Sequence, residues 1–167
     1  MANYFQPIFQ INYEPPLEPN TKVSLSMGPQ HLAYAGFNIP VMVTDVPLEK
    51  GAMPSKGKLV MAHLDTGASR TTIDEKLAAE LGLVPIGVSL IHTAAGPKDS
   101  KSYAISISFP DTGLRGYKLT VDDCVLPYDD TLPDLNPHNF ALLIGRDVMA
   151  NWNIVWNGPS STVFLSD

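Results

Sequence analysis

Residues 59–69 read Leu-Val-Met-Ala-His-Leu-Asp-Thr-Gly-Ala-Ser, and this stretch decides the fold. Its first six residues are mostly apolar and predict a buried β-strand. The strand ends at Asp65, and the small residues after it predict a sharp turn in which Gly67 permits a close backbone approach. We therefore expect a strand that carries a carboxylate deep into the protein, where a hydroxyl and backbone amides can bind it. A buried acid with such local donors is a candidate for acid–base chemistry.

Short apolar or alternating runs on both sides of this stretch predict further strands, because Pro and Gly separate them throughout the chain. Apolar residues at helical spacing predict one helix over residues 73–81, which Gly82 ends. The fold class that this pattern indicates is all-β with one short helix. The predicted strands lie at residues 37–46, 58–64, 88–93, 103–109, 117–125 and 140–144, followed by a terminal hairpin of residues 153–156 and 162–165.

The composition limits the class of protein. The chain has 167 residues, 44% of them hydrophobic, with 15 Pro, 12 Gly and one Cys. This length suits one domain with a real core, and a single cysteine forms neither an internal disulfide nor a cysteine-based zinc site. A net charge of −6 argues against a nucleic-acid surface, and no apolar run approaches the roughly 18 residues of a membrane span. Since no secretory signal is evident, we expect a cytoplasmic protein.

The N-terminal part differs in character from the rest of the chain. We predict an arm over residues 1–30 and a single folded domain over residues 31–167. Apolar side chains within residues 1–13 precede a segment at residues 14–19 with too many prolines for a central strand. Residues 1–22 suit strand addition at a dimer interface or occupation of a cleft as a removable pro-segment, and a loosely packed tail is the plain alternative.

Two motifs resemble those of a known family. Residues 65–69 (Asp-Thr-Gly-Ala-Ser), after an apolar strand, resemble the active-site signature of the aspartic proteases. Residues 143–147 (Leu-Ile-Gly-Arg-Asp) resemble the later element of that family, in which an apolar pair and a glycine pack beside the catalytic loop. Gly145 lies 80 residues after Asp65 (145 − 65), which resembles one subunit of a retropepsin, the single-lobe type of the retroviral proteases and their cellular and bacterial relatives. The resemblance spans residues 37–166 and implies a closed β-barrel, half of an acid protease, that a two-fold homodimer completes.

The chemistry of this family needs two aspartates. Two carboxylates about 3 Å apart share one proton, so that one acts as general base on a bound water while the other polarises the substrate carbonyl. Residues 111–113 also read Asp-Thr-Gly, but Pro110 precedes them and no helix follows, so they predict an ordinary turn. With one competent aspartate, the chain needs a copy of itself across a two-fold axis. We therefore predict an aspartic endopeptidase that acts on peptides as a homodimer, without metal or organic cofactor.

The resemblance also implies roles for further residues. Asp65 is the catalytic acid, Thr66 bonds across the dimer through its hydroxyl, and the amide of Gly67 supports the carboxylate. Structural residues around the site are Ser69, Gly145 and Arg146. The residues expected to contact substrate lie beside the catalytic loop, at the tip of a mobile hairpin called the flap, and in a pocket loop: Ala68; Ala94, Ala95 and Gly96; Phe140, Ala141 and Leu143.

Two departures from the family pattern carry expectations of their own. Ser69 stands where retroviral members have an aspartate that pairs with the arginine after the late glycine, so Arg146 needs another partner, and Asp74 is our guess. The C-terminal hairpin resembles that of the cellular relatives, whose terminal strands build the dimer interface, and we expect the same here.

Two other functions stay open at this point. One is a catalytically weak peptide-binding or dimerisation module of the same fold. The other is a metal-dependent hydrolase, since His63 and Asp65 are two apart on a strand and thus share a face. A metal site needs three or four ligands, and no third ligand is evident near this pair.

Overall fold

The computed structural model describes residues 10–11, 23–26, 36–46, 56–93, 96–132, 136 and 138–167. In these ranges the chain is mostly β, with two short helices, α1 (Glu75–Glu80) and α2 (Arg146–Met149). Neither of these helices has the length and apolar character that crossing a membrane requires. The strands are β1 (Gln10–Ile11), β2 (Val23–Ser26), β3 (Asn38–Asp45), β4 (Gly57–Leu64), β5 (Thr72–Asp74), β6 (Gly87–Thr93), β7 (Gly96–Ser108), β8 (Tyr117–Cys124), β9 (Phe140–Ile144), β10 (Asn153–Asn157) and β11 (Thr162–Ser166).

Six strands close into the barrel that the family resemblance implies. Strands β3, β4, β9, β5, β8 and β7 are hydrogen-bonded in that order, and β7 then pairs with β3 to close the circle. The pairs β4–β9 and β5–β8 are parallel and the others are antiparallel. Because successive side chains of a strand point to opposite faces, every second residue fills the interior. The completely or almost completely buried interior residues include Ile39, Val41, Val43, Ile105, Ile107, Val121, Leu142 and Ile144.

The helix after the Asp65 motif begins later than predicted. Thr72–Asp74 form β5, which lies between β8 and β9, and the carboxylate of Asp74 then caps α1 by accepting a hydrogen bond from the amide of Lys76 at 2.8 Å. Ile73 has helical spacing to the apolar face of α1 but is a buried strand residue of the barrel. The helix ends as expected, because Gly82 adopts a φ of 64° just after its last turn.

A hairpin extends beyond the barrel. Strand β6 pairs with the first part of β7, from Gly87 opposite Ser102 to Thr93 opposite Gly96, and the second part of β7 continues into the barrel. We call residues 87–93 and 96–102 the flap hairpin. The strand β7 is therefore one element of 13 residues that begins well before the predicted start at Tyr103. The predicted tip residues Ala94 and Ala95 lie outside the described residues.

A second sheet is built from the two ends of the chain. It has the order β1-β2-β11-β10, and the predicted C-terminal hairpin forms its β10–β11 pair. Strand β2 adds to the other side of β11, with Leu25 opposite Val163. Most of the predicted arm, residues 1–30, lies outside the described residues; β1 and β2 are the parts of it that the structure describes. Within the described part of the chain, β10 therefore lies at the edge of this sheet.

Candidate active site

Asp65 lies directly after β4, at the end of the barrel. Its backbone amide donates to the carbonyl oxygen of Ile144, 3.0 Å away on the parallel strand β9. The amide of Gly67 donates to Oδ1 of Asp65 at 2.7 Å, and a Cβ on Gly67 would lie 3.0 Å from that oxygen. The amide support expected for the carboxylate is therefore present. Among the described residues, the expected hydroxyl donor to Asp65 is absent.

The Asp65 loop, residues 65–71, is more open than the sequence suggested. Asp65 is half-buried, and both Thr66 and Gly67 are exposed. The expectation that β4 carries the acid deep into the protein is wrong for a single chain, because the strand ends at the rim of the barrel. The Asp65 carboxylate thus accepts a hydrogen bond from the amide of Gly67, while the outer side of the loop faces solvent.

The motif at residues 143–147 packs against this loop from behind. A Cβ on Gly145 would lie 2.4 Å from the carbonyl carbon of Arg70, so no larger residue fits there without moving the backbone. The amide of Gly145 donates to Oγ1 of Thr71 at 3.2 Å, and the amide of Arg146 donates to the carbonyl oxygen of Ala68 at 3.0 Å. These contacts fix the loop against the barrel, which is the packing role the resemblance implies for Gly145.

Arg146 binds the same loop through its side chain. Its Nη1 donates to the carbonyl oxygens of Thr66 at 2.7 Å and Gly67 at 3.1 Å. The guess that Asp74 is its partner is wrong, because Asp74 is buried and its two oxygens accept from the amides of Lys76 and Leu126. Where the retroviral pattern uses an acid, this chain has the exposed Ser69, and the guanidinium is bound by main-chain carbonyls instead.

The sequence analysis did not predict a second set of hydrogen bonds, which joins the Asp65 loop to the motif at residues 143–147. The carboxylate of Asp147 accepts from the amide of Thr71 at 3.0 Å and from its hydroxyl at 2.8 Å. Thr71 is completely buried, so these bonds satisfy donors that water cannot reach. A signal was available: Asp147 sits in the first turn of α2, directly after Gly145 and Arg146, where a carboxylate is favoured and can reach back to the preceding loop.

His63 is held by packing on the outer face of β4. Its Nδ1 lies 2.8 Å from Oδ1 of Asn38, and its ring stacks on Phe140 with 4.9 Å between the ring centres. Burial lowers the pKa of His63 below its ordinary value, and the nearby charge of Asp65 acts in the opposite direction. In the part of the chain that the structure describes, no group of three or more His, Cys, Asp or Glu side chains could hold a metal ion.

The residues predicted to contact substrate differ in exposure. Ala68, Phe140 and Leu143 are half-buried near the end of the barrel, and Gly96 is the first residue of β7. Ala141 is a correction, because it is completely buried in the core and its methyl group has no surface to offer a peptide. The cause is an irregularity in the β4–β9 pairing, where Met61 faces Phe140 and Ala62 faces Leu142, so that Ala141 is an extra residue.

Comparison with known proteins finds a matching family and two similar solved structures. A family described as aspartyl protease matches residues 52–148. The protease of simian foamy virus (mac) is 21% identical, with 66% of this chain and 91% of that chain covered and a TM-score of 0.36. A retropepsin-like aspartic protease from Rickettsia conorii is 16% identical, with 77% and 80% covered and a TM-score of 0.45.

A search of curated proteins finds no match. The family match is therefore the comparison that bears on this chain, and it includes both the Asp65 loop and Gly145. Because it spans more than half of the 167 residues, the chain belongs to the aspartyl protease family, as the resemblance in its two motifs predicted.

Proposed function

We propose that the chain is an aspartic endopeptidase in which the Asp65 carboxylates of two identical chains hydrolyse a peptide bond. The observation that supports this most is the geometry of the Asp65 loop. Its carboxylate accepts a hydrogen bond from the amide of Gly67 at 2.7 Å, and its outer side is open. On the barrel side, the hydroxyl of Thr71 accepts from the amide of Gly145 and the carbonyl oxygen of Ala68 accepts from the amide of Arg146. The loop is therefore rigid on the side of its own barrel and accessible on the side where a second carboxylate would have to approach.

The proposed reaction needs one proton shared between the two acids. The ionised Asp65 removes a proton from a bound water, whose oxygen attacks the carbonyl carbon of the peptide. The protonated Asp65 gives its proton to the carbonyl oxygen, which forms a tetrahedral diol. When the diol collapses, its C–N bond breaks. The leaving nitrogen takes the proton that the first Asp65 removed from water. The second Asp65 regains a proton from one hydroxyl group of the diol.

The edge strand β10 supports association of two chains. Its side chains are exposed on both faces, with Ile154 39%, Val155 50% and Trp156 57% accessible to solvent. Among the described residues, β10 pairs only with β11, so its outer edge carries three exposed large apolar residues, and such an edge invites pairing with another molecule. The other side of β11 is already occupied by β2. We therefore assign β10, within the expected C-terminal hairpin, to the dimer interface.

The variant Val155→Asp is expected to be monomeric and inactive as a peptidase. Because Val155 is half-exposed on a single chain, its replacement changes the stability of the fold little. In the dimer the interface would cover this side chain, and a charge there would oppose association. Sedimentation velocity measures the association, and cleavage of a peptide over a range of protein concentrations measures activity. Val125→Asp is the matched control, because Val125 is 71% exposed outside the β10 sheet. A Val155→Asp protein that remains dimeric and active would overturn this interface.

A substrate would lie extended between the flap hairpin and the Asp65 loop. Extended peptides are recognised through their main chain, with pockets for alternate side chains. We expect the half-buried Ala68, Phe140 and Leu143 to line such pockets, and Gly96, the first residue of β7, to approach the peptide backbone. Thr66, exposed beside Asp65, is available to bond across the two-fold axis.

A digest of a peptide library tests the proposed function directly. We expect cleavage in the acid part of the range from about pH 3 to 8, because an aspartate pair titrates acid of neutrality. A pepstatin-type mimic of the tetrahedral intermediate should inhibit the reaction, and chelators should leave it unchanged. Peptide binding without cleavage at any pH would favour the binding-module alternative, and loss of activity on chelation would favour a metal-dependent hydrolase.

A further inference from the structure

Two consecutive carboxylates of β8 lie at the base of the flap hairpin and have no part in the proposed chemistry. Asp122 is 3% exposed and Asp123 is 8% exposed. Burying a carboxylate is costly unless hydrogen-bond donors surround it. Both side chains are so surrounded, and their partners come from the flap hairpin, the adjoining Tyr103 and, for Asp122, the Asp65 loop.

Asp122 joins the two strands of the flap hairpin. Its Oδ1 accepts from the hydroxyl of Ser89 on β6 at 2.5 Å and from that of Ser102 on β7 at 2.6 Å. The two hydroxyl oxygens are themselves 3.1 Å apart. Hydrogen bonds to a carboxylate are stronger than those between neutral groups, so this one oxygen holds both strands where they leave the barrel.

The other oxygen of Asp122 faces the Asp65 loop. Its Oδ2 lies 3.5 Å from Nη1 of Arg70, and Nη2 of Arg70 donates to the carbonyl oxygen of Thr120 at 3.3 Å. Arg70 belongs to the Asp65 loop, and its backbone is the part that Gly145 approaches most closely. The two oxygens of one side chain therefore contact the two elements between which a peptide would be bound.

Asp123 holds β7 in register at the same level. Its Oδ1 accepts from the hydroxyl of Ser100 at 2.8 Å and the amide of Lys101 at 3.0 Å, and its Oδ2 accepts from the hydroxyl of Tyr103 at 3.2 Å. These partners all lie on β7. Among the described residues, the Asp123 carboxylate therefore makes no hydrogen bond to the Asp65 loop. It serves as an internal comparison for Asp122.

We propose that Asp122 is a positioning residue that couples the flap hairpin to the Asp65 loop. The inference rests on the proposed function, since it concerns how the flap reaches a peptide held at Asp65. A hairpin that is anchored at its base holds its tip in a defined position. The contact between Asp122 and Arg70 fixes that position relative to the Asp65 loop. Loss of the anchor leaves the chemistry of Asp65 intact but makes closure over the substrate less favourable.

The double variant Ser89→Ala and Ser102→Ala removes the flap side of the anchor. We expect the amides of residues 87–93 and 96–102 to exchange hydrogen about 10-fold faster, since two bonds to a carboxylate are lost, while the amides of β3 and β4 keep their protection. With a peptide that the unmodified protein cleaves, KM should rise about 10-fold and kcat should change less than about 3-fold. The matched control is Ser106→Ala with Ser108→Ala, which removes two hydroxyls from the barrel part of the same strand.

The loop side is tested by Asp122→Asn and Arg70→Gln, singly and together. Asn keeps an oxygen for the two serines and places an amide toward Arg70, so residues 66–71 should exchange faster while the flap amides keep their protection. If the contact couples the elements, the double variant raises KM no more than the larger single variant does. Additive effects, or flap protection unchanged in the serine variant, would overturn the inference. Hydrogen exchange needs no activity, so a protein that cleaves no peptide defeats the proposed function and still tests the anchor.

Discussion

Replacement of Asp65 by Asn is expected to abolish peptide cleavage and to leave the fold and the dimer intact. The Asn side chain retains an oxygen to accept the amide of Gly67, which lies 2.7 Å from Oδ1, so the loop keeps its geometry. The amide group can neither take a proton from water nor return one, which removes a contribution of about 100- to 10,000-fold to the rate. Cleavage of a fluorogenic peptide, measured from acid to neutral pH, gives the loss; thermal unfolding and sedimentation check the fold and the association.

The chain supplies a matched control for this variant. Asp111, with Thr112 and Gly113, repeats the Asp-Thr-Gly sequence in the predicted turn between β7 and β8. Asp111 has a φ of 59°, and the buried hydroxyl of Thr112 donates to the carbonyl oxygen of Phe109 at 2.7 Å. Asn tolerates this conformation as well as Asp does, so Asp111→Asn should keep full activity. A folded, dimeric Asp65→Asn protein that still cleaves peptides would refute the catalytic assignment.

The variant Gly145→Ala is expected to lose both stability and activity. The added Cβ would lie 2.4 Å from the carbonyl carbon and 2.6 Å from the carbonyl oxygen of Arg70, and backbone atoms cannot rotate away as a side chain can. Overpacking of this kind costs about 3 kcal/mol. For a domain of this size the unfolding midpoint should fall by about 6–12 °C. The displacement would move Arg70 and Thr71, and with them the Asp65 loop, so cleavage should fall even where the protein remains folded.

Gly87→Ala separates this steric effect from the general effect of replacing a glycine. A Cβ at Gly87 would have nothing within 4 Å, and the residue does not adopt a positive φ. Its unfolding free energy should therefore stay within about 0.5 kcal/mol of the unmodified protein. The unfolding midpoints are measured by differential scanning calorimetry. Equal midpoints for Gly145→Ala and Gly87→Ala would contradict a steric clash between a Cβ at position 145 and the Arg70 carbonyl group.

The features predictable from the sequence are those that depend on local pattern. The apolar run before Asp65, the glycine after it and the late motif around Gly145 each have a local signature, and together they indicate the barrel and the family. Short apolar or alternating runs between Pro and Gly predict most of the strands, because buried strands are apolar and turn residues separate them. The false Asp-Thr-Gly at Asp111 was also recognised locally, since it follows a proline and leads into no helix.

The features that escaped prediction depend on register and distance. The partner of Arg146 is a pair of carbonyl groups, which have no sequence signature, and Asp74 was instead needed to cap α1. The irregularity that buries Ala141 is a property of the pairing between β4 and β9. The contacts of Asp122 bring together residues on three strands and a loop, and no local pattern marks such a set.

The outer edge of β10, which no other described strand covers, has a consequence for regulation under the proposed function. Each polypeptide would supply one of the two catalytic aspartates, so a newly made monomer would be inactive until it associated with a second copy. In dilute solution the population of assembled enzyme would grow with the square of the protein concentration. Abundance itself would then act as the activating signal, without a separate inhibitor to hold the isolated half in check.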